Sequence, residues 1–359
     1  MPGYGIATLS LGNARYHTLE PRLQAAATAG FKYIDLFDEC WASYLSEHGL
    51  PNEDPWAPTD ANLSVARKLG DLVQSLGMKI SCTQPLRSIE GLLDPEERQA
   101  AFKKVTSRFP FMRAFKTDLV FMCANTRTDE SVTTDLKTVA RDLAELADLA
   151  RTFSEEDGGP VLRIGYEALS WARRNTWSAT WEVIRMANRG NVGLILDTFN
   201  ILAVEFADPF NARGHGRVFD SEREAMDVLR GSMTALVNSV PGEKVFFFQV
   251  ADAELVDPRF FRRDPDSSIP ALLPWSRGHR LFPCETERGG YMPVGVVTAA
   301  VLATGYKGPL SLEVFNQSLN VSGKEVPGEH ARRGMTGLRK LVEEVEGVEP
   351  FWERRMGKL

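Results

Sequence analysis

Four oxygen-bearing side chains lie at or near the ends of apolar segments in the second half of the chain. They are Glu167, Asp197, Gln249 and Glu313. A buried carboxylate needs a partner, and carboxylates that converge raise one another's pKa values unless a cation lies between them. Two Glu, one Asp and one Gln, without His or Cys, favour Mg²⁺, Mn²⁺ or Co²⁺ over a closed zinc site. The four residues therefore predict a divalent-metal site with positions open to substrate oxygens.

Alternating strands and helices are the elements that must bring these side chains together. Several of the apolar segments are nearly continuous, which is typical of parallel strands covered by helices, and helical patterns separate them. The eight segments of strand length are residues 5–11, 33–37, 79–84, 119–124, 162–168, 193–199, 245–251 and 311–315.

Eight such units in 359 residues predict an α/β fold, a (β/α)8 TIM barrel that forms one domain over residues 1–359. The ends of strands five to eight would then lie on one rim of the barrel, where TIM-barrel active sites are built. A doubly wound open sheet is the alternative, but the first strand is not followed by a GxGxxG turn. The connection at about 252–283 is longer than a normal loop, which predicts an active-site loop.

Composition and charge restrict the partners. The formal net charge is −6, and the basic residues form only short pairs such as Arg262 and Arg263, so we expect no nucleic-acid partner. Four widely spaced cysteines predict reduced thiols, and the sequence shows neither a signal peptide nor an apolar stretch of membrane-spanning length. We expect a cytoplasmic protein that acts on a small molecule without a membrane partner. The oligomeric state stays open.

Six motifs together resemble a known family. They are YEALSW, LDTFN, FFFQVADAE, WSRGHRLFP, LSLEVFN and VPGEHARRG. In this order they resemble the metal-dependent 3-dehydroshikimate dehydratases, most closely the fungal enzymes of quinate catabolism, within the xylose isomerase-like TIM barrel superfamily. The resemblance implies a hydro-lyase that converts 3-dehydroshikimate to protocatechuate. It also implies that Glu167, Asp197, Gln249 and Glu313 are the metal ligands.

The same resemblance implies a substrate-binding set. Arg87 in TQPLR matches an arginine of the related bacterial enzymes, and Ser276 and Arg280 in SRGHR match a serine and an arginine of those enzymes. A guanidinium group matches the two oxygens of a carboxylate, so the arginines are expected to bind the ring carboxylate of the substrate.

Proton transfer has several candidate residues. His279 is the one histidine of five that lies in the 252–283 loop, and it is the first candidate. Glu39, in LFDE after the second strand, and a hydroxide held by the metal are alternatives. Asn200 is included among the catalytic candidates because bacterial relatives often carry a histidine at its position, three residues after the metal-binding aspartate.

Other functions on the same scaffold are open. A sugar isomerase or epimerase, or an inosose dehydratase, would keep the barrel and the metal but change the substrate. A DNA-repair endonuclease would need more histidines and a basic groove, and a non-catalytic sensor would not need all four metal ligands. Some relatives append an oxygenase-like second domain, which this sequence does not predict.

Overall fold

Eight parallel strands close into a barrel in the computed structural model, which describes residues 2–50 and 53–347. The barrel strands are β1 (Tyr4–Ala7), β2 (Tyr33–Phe37), β3 (Lys79–Leu86), β4 (Leu119–Cys123), β5 (Arg163–Glu167), β6 (Val192–Asp197), β7 (Val245–Val250) and β10 (Leu310–Leu312). Each pairs with its neighbours in chain order, and β10 pairs with β1 to close the ring. The (β/α)8 prediction is confirmed. The predicted domain limits, residues 1 and 359, lie outside the described residues.

Twelve α-helices accompany the strands in the described part of the chain. They are α1 (Leu19–Ala29), α2 (Asp38–Glu47), α3 (Asp60–Ser75), α4 (Pro95–Thr106), α5 (Arg108–Phe115), α6 (Leu136–Asp157), α7 (Trp177–Ala187), α8 (Thr198–Glu205), α9 (Glu222–Ser239), α10 (Leu273–Gly278), α11 (Val294–Ala303) and α12 (Val326–Gly347). Several begin at a side chain that accepts a hydrogen bond from a backbone N–H of the first turn, which satisfies a donor that the helix leaves free. These capping residues are Thr59, Asp94, Asp135, Thr176 and Ser221.

Several predicted strand limits are wrong, among them the end of the eighth strand, which the structure places at Leu312 instead of residue 315. Two of the differences have a local reason. The first strand ends at Ala7, because Thr8–Leu11 form a 3-10 helix in which Thr8 Oγ1 accepts the backbone N–H of Phe37 (3.1 Å). The sixth strand ends at Asp197, because its side chain accepts the backbone N–H of Phe199 (2.8 Å) and thereby starts α8.

The 252–283 segment folds back on the barrel instead of forming an open loop. Its ends form a short antiparallel hairpin, β8 (Asp252–Ala253) with β9 (Arg280–Leu281), and α10 lies between them. Trp275 of α10 is buried, donates from Nε1 to the Glu254 carbonyl (3.1 Å) and packs on Phe199 with ring centroids 5.0 Å apart. These contacts fix α10 beside the carboxyl ends of the barrel strands.

The remaining chain-level predictions concern thiols and membranes. Cys40, Cys82 and Cys123 are buried free thiols, and Cys284 is a half-buried one, as the spacing predicted. Of the helices that the structure describes, none has both the length and the apolar composition needed to cross a membrane.

Gly70 and Gly231 provide a matched test of helix packing. Both lie inside long helices, but a Cβ at Gly70 would lie 2.7 Å from the Ala114 carbonyl oxygen of α5, whereas a Cβ at Gly231 would meet nothing within 4 Å. We expect Gly70→Ala to lower the free energy of unfolding by about 1–3 kcal/mol. Gly231→Ala should raise it by roughly 0.5–1 kcal/mol, the ordinary advantage of Ala over Gly in a helix. Chemical denaturation of both variants measures the difference, and a stable Gly70→Ala protein would contradict the close contact of α3 with α5.

Candidate active site

The strand register brings the four predicted metal ligands to the carboxyl end of the barrel. Asp197 of β6 pairs with Gln249 of β7, and Gln249 pairs in turn with Ser311 of β10, so that Glu313 lies just beyond that level. Glu167 is the last residue of β5. All four side chains are buried, and even the most accessible of them, Glu313, is only 6% exposed. The three carboxylates and Gln249 are called the acidic cluster below.

Two side chains connect the carboxylates of the acidic cluster. Nδ2 of Asn200 donates to Glu167 Oε1 (3.0 Å) and to Asp197 Oδ2 (2.8 Å). Nη1 of Arg280 donates to Asp197 Oδ2 (2.9 Å) and to Glu313 Oε2 (3.1 Å). The side chain of Arg280 is only 2% exposed, so it is a cation buried among anions.

The excess negative charge of the acidic cluster favours the binding of protons or cations. Burial, followed by the charges of Asp197 and Glu313, raises the pKa of Glu167 well above its usual range. Burial also raises the pKa values of Asp197 and Glu313, and the nearby Arg280 guanidinium opposes the rise in both. One guanidinium therefore compensates three carboxylates only in part.

Gln249 gives a second indication of a missing partner. Its Nε2 donates to Gln84 Oε1 over 3.3 Å, whereas its Oε1 is buried without a hydrogen-bond partner in the described structure. An unsatisfied buried carbonyl oxygen normally has a water, an ion or a ligand as its partner. Amide and carboxylate oxygens are also the ligands that hard divalent cations prefer.

The acidic cluster is not a ready-made metal site. Over residues 2–50 and 53–347, no three His, Cys, Asp or Glu side chains are already arranged to hold a metal ion. Arg280 supplies the positive charge instead. The all-oxygen donor set, the excess negative charge and the free Oε1 of Gln249 nevertheless fit a divalent cation, so the residues present are compatible with the predicted metal.

A small inner chamber adjoins the acidic cluster. Its cavity is about 20 Å³, and Glu167, Glu313, Arg87 and Arg280 contribute to its wall. A larger outer pocket of about 220 Å³ lies next to it and includes Glu39. The two spaces share three lining residues, Phe37, Arg277 and Phe315, which form the partition between them.

The predicted substrate-binding residues occupy different positions. Arg87 is half-buried in the wall of the inner chamber, with its guanidinium 6.0 Å from the Phe37 ring centroid. Ser276 also lines the chamber, but its hydroxyl accepts from Arg280 Nε (3.4 Å) and Nη2 (3.2 Å). Arg280 itself is held by the acidic cluster. The structure thus brings the three residues to one chamber, with Arg280 already bound to protein groups.

Among the predicted proton-transfer residues, only Asn200 is hydrogen-bonded to the acidic cluster in the described structure. His279 Nδ1 is hydrogen-bonded to Glu254 Oε2 (2.7 Å), and the His279 ring contacts the Phe261 ring edge to face with centroids 5.2 Å apart, so both of these ring contacts are with residues of the 252–283 segment. Glu39 is exposed at the outer pocket. Asn200 lies inside the cluster, where its amide holds two carboxylates but cannot exchange a proton.

Sequence reasoning missed Arg277. It belongs to the same SRGHR motif as Ser276 and Arg280, and it lies in α10, whereas Arg280 is the first residue of β9. Its place in the SRGHR motif, beside Ser276 and Arg280, is the signal that could have identified it.

Comparisons with known proteins agree with this fold. Residues 23–341 match the protein-family model described as xylose isomerase-like TIM barrel. A protein of Neurospora crassa named 3-dehydroshikimate dehydratase is 33% identical over 348 residues, which cover 95% of this chain and 93% of that protein. A Pseudomonas aeruginosa protein of the same name is 32% identical over 94% of this chain, which spans only 41% of that longer protein.

Solved structures show the same architecture. A xylose isomerase-like TIM barrel/4-hydroxyphenylpyruvate dioxygenase fusion protein superposes with a TM-score of 0.69 and 28% identity, covering 98% of this chain and 45% of the fusion protein. The IOLI protein, whose crystal structure contains a bound zinc atom, superposes with a TM-score of 0.66 over 96% of this chain and 99% of its own, at 15% identity. This second likeness concerns the fold alone.

Arg280 and Arg163 offer a test of the buried cation. Arg163 pairs with Asp118 at 2.8 Å, but both side chains are partly exposed, at 35% and 40%. In chelator-treated protein we expect Arg280→Met to lower the free energy of unfolding by about 3–5 kcal/mol, because it leaves buried carboxylates uncompensated. Arg163→Met should lower it by at most about 1 kcal/mol.

The Arg280→Met deficit should be smaller in mildly acidic than in alkaline buffer. Carboxyl groups with raised pKa values bind protons in the folded protein, and the stability that they contribute is lost as the pH rises through those values. Urea denaturation at several pH values measures both effects. Equal deficits for the two variants at every pH would show that the acidic cluster needs no cation.

Proposed function

The chain belongs to the xylose isomerase-like TIM barrel family, and we propose that it is a 3-dehydroshikimate dehydratase, a hydro-lyase. The observation that carries the proposal is the likeness to the Neurospora crassa dehydratase, which extends over nearly the full length of both chains. The acidic cluster and the arginines of the inner chamber support it, because they match what the dehydration requires.

The reaction has two chemical demands. 3-Dehydroshikimate carries a ring carboxylate, a ketone and two hydroxyl groups. Removal of a proton next to the ketone and departure of the β-hydroxyl as water lead to the aromatic product protocatechuate, and aromatisation drives the last step. The enzyme must therefore stabilise negative charge that develops on the ketone oxygen, and it must orient the ring through its carboxylate. We place this reaction in the catabolism of quinate and shikimate.

A divalent cation, Mg²⁺, Mn²⁺ or Co²⁺, is part of the proposal. Glu167, Asp197, Gln249 and Glu313 would hold it, because their oxygens are buried and bear more negative charge than Arg280 compensates. When bound, such a cation supplies a Lewis acid that polarises a carbonyl oxygen. A solved protein with this fold carries a bound zinc atom, so the fold can accommodate a divalent metal.

The protein's own side chains do the remaining work. Asn200 positions Glu167 and Asp197 through its two donated hydrogen bonds, and we assign it a positioning role. His279 is the proposed proton-transfer residue: its Nδ1 is held by Glu254, which leaves Nε2 as the atom that would carry the proton. Glu39 at the outer pocket is the alternative.

Arginine in the chamber wall favours this substrate over the rival ones. A sugar isomerase, an epimerase or an inosose dehydratase acts on neutral polyols and ketoses, which do not require unpaired guanidinium groups. Arg87 and Arg277 both line the inner chamber, and they supply the positive charge that a carboxylated ring would need.

Metal-dependent product formation is the direct test of the function. Chelator-treated protein mixed with 3-dehydroshikimate should form no aromatic product, and Mg²⁺, Mn²⁺ or Co²⁺ should restore formation of protocatechuate, followed by its ultraviolet absorbance. Folding of the treated protein is checked by circular dichroism. Turnover of keto-sugars or inososes, with none of 3-dehydroshikimate at any metal, would reverse the assignment in favour of the rival class.

Metal content tests the ligand set independently of activity. Glu167→Gln and Asp197→Asn each remove a charged ligand, and we expect each variant to bind Mn²⁺ at least tenfold more weakly in equilibrium dialysis, a loss of about 1.4 kcal/mol. Glu205→Gln is the matched control, because burial raises the pKa of the Glu205 carboxyl to about 7 at the end of α8, outside the acidic cluster. Unchanged Mn²⁺ affinity in the first two variants would place the metal elsewhere.

A further inference from the structure

A large cavity lies at the amino end of the barrel, opposite the acidic cluster. Its volume is about 910 Å³, against about 20 Å³ for the inner chamber. The first residues of five barrel strands line it, namely Tyr33, Lys79, Leu119, Arg163 and Val245. Sites for small molecules have volumes of about 300–1,000 Å³, so this cavity, called the amino-end cavity below, is large enough for one.

Positive charge is in excess around the amino-end cavity, although the chain as a whole carries a formal net charge of −6. Five cationic side chains line the cavity, but only two carboxylates do, those of Asp118 and Glu243. Such a local excess attracts anions from solution.

Two of the five cations are not neutralised by a neighbouring carboxylate. The other three are paired, Arg113 with Asp157, Lys116 with Asp71 and Arg163 with Asp118. Lys79 and Lys307 are exposed, and in the described residues neither has a carboxylate within ion-pair distance. Their ammonium groups are therefore available to an anionic ligand.

Much of the remaining wall of the amino-end cavity is apolar. It includes Ile80, Leu119, Phe246 and Tyr306, all of which are buried. The guanidinium of Arg163 lies 4.9 Å from the Phe246 ring centroid and is also paired with Asp118, so this part of the wall is held in place before a ligand binds. An apolar ring that packs on this wall would leave water, which favours binding.

Ser81 adds an unsatisfied polar group to the same wall. Its Oγ is buried without a hydrogen-bond partner in the described structure, and its carbonyl accepts a hydrogen bond from Thr117 Oγ1 (2.8 Å). A buried hydroxyl normally has a water or a ligand as its partner. The amino-end cavity thus offers one hydroxyl donor in addition to the two lysines.

We propose that the amino-end cavity is a second binding site, for small molecules that combine an apolar ring with one carboxylate or sulfonate group. The ring would pack on Phe246 and Tyr306, and the acid group would pair with Lys79 or Lys307. The site is separate from the acidic cluster, because it lies where the barrel strands begin and the cluster lies where they end. It does not depend on the proposed function.

Two ligands that differ only in charge test the proposal. 2-Naphthoate and the neutral 2-naphthamide share the ring, and calorimetry should show that wild type prefers 2-naphthoate. Lys79→Gln/Lys307→Gln should weaken 2-naphthoate binding roughly 2- to 30-fold, the effect of losing two exposed ion contacts, and leave 2-naphthamide binding unchanged. Added NaCl should weaken the binding of 2-naphthoate alone, because salt screens exposed charges.

Charge reversal and a matched control complete the experiment. Lys79→Glu/Lys307→Glu should bind 2-naphthylmethylammonium more tightly than 2-naphthoate, because the apolar wall is unchanged and the sign of the charge is inverted. Lys68→Gln/Lys104→Gln removes the same charge from exposed positions of α3 and α4 outside the cavity wall, and it should match wild type. Unfolding midpoints establish that each variant is folded.

Arg87→Gln, which alters the inner chamber, locates the bound ligand. Loss of 2-naphthoate binding in Arg87→Gln but not in Lys79→Gln/Lys307→Gln would place the ligand at the carboxyl end of the barrel and overturn the proposal. Absence of 2-naphthoate binding in wild type, or equal affinity for 2-naphthoate and 2-naphthamide, would also overturn it. Weakening in the lysine variant alone would support the site, whether or not the protein turns over 3-dehydroshikimate.

Discussion

Buried negative charge is the constraint on which the site depends. Three carboxylates at the carboxyl end of the barrel are removed from water, and each makes the ionised state of the others less favourable. The protein meets this constraint with Arg280 and Asn200, which donate to all three. Arg280 comes from β9, a strand outside the barrel. The folded 252–283 segment is therefore part of the electrostatic balance of the barrel end as well as its cover.

The neighbouring arginines Arg277 and Arg280 lie in different surroundings. Arg280, the first residue of β9, pairs with buried carboxylates, whereas Arg277, in the last turn of α10, stacks on the Phe315 ring. Trp275, buried against Phe199, fixes the helix that carries Arg277.

The sequence predicted the structural elements that follow from the spacing of its apolar segments. Apolar segments of strand length revealed all eight barrel strands, and the strand ends placed Glu167, Asp197, Gln249 and Glu313 on one rim. The short helices α2 and α8 were not predicted, because each begins at the residue that directly follows a barrel strand. The sequence also could not predict the orientations of the Arg277 and His279 side chains. They depend on tertiary contacts of α10 and on the Glu254 carboxylate, which no local pattern encodes.

The β8–β9 hairpin allows the segment between its two strands to vary in length. Because Asp252 pairs with Leu281, the two ends of the 252–283 segment are held together independently of α10. Residues 262–266 in the middle of the segment are all exposed. Insertions there would add only loop-closure entropy, about 0.6 kcal/mol for each doubling of loop length. Residues 262–266 can therefore vary in length and sequence, while the hairpin keeps Arg277 of α10 and Arg280 of β9 in place.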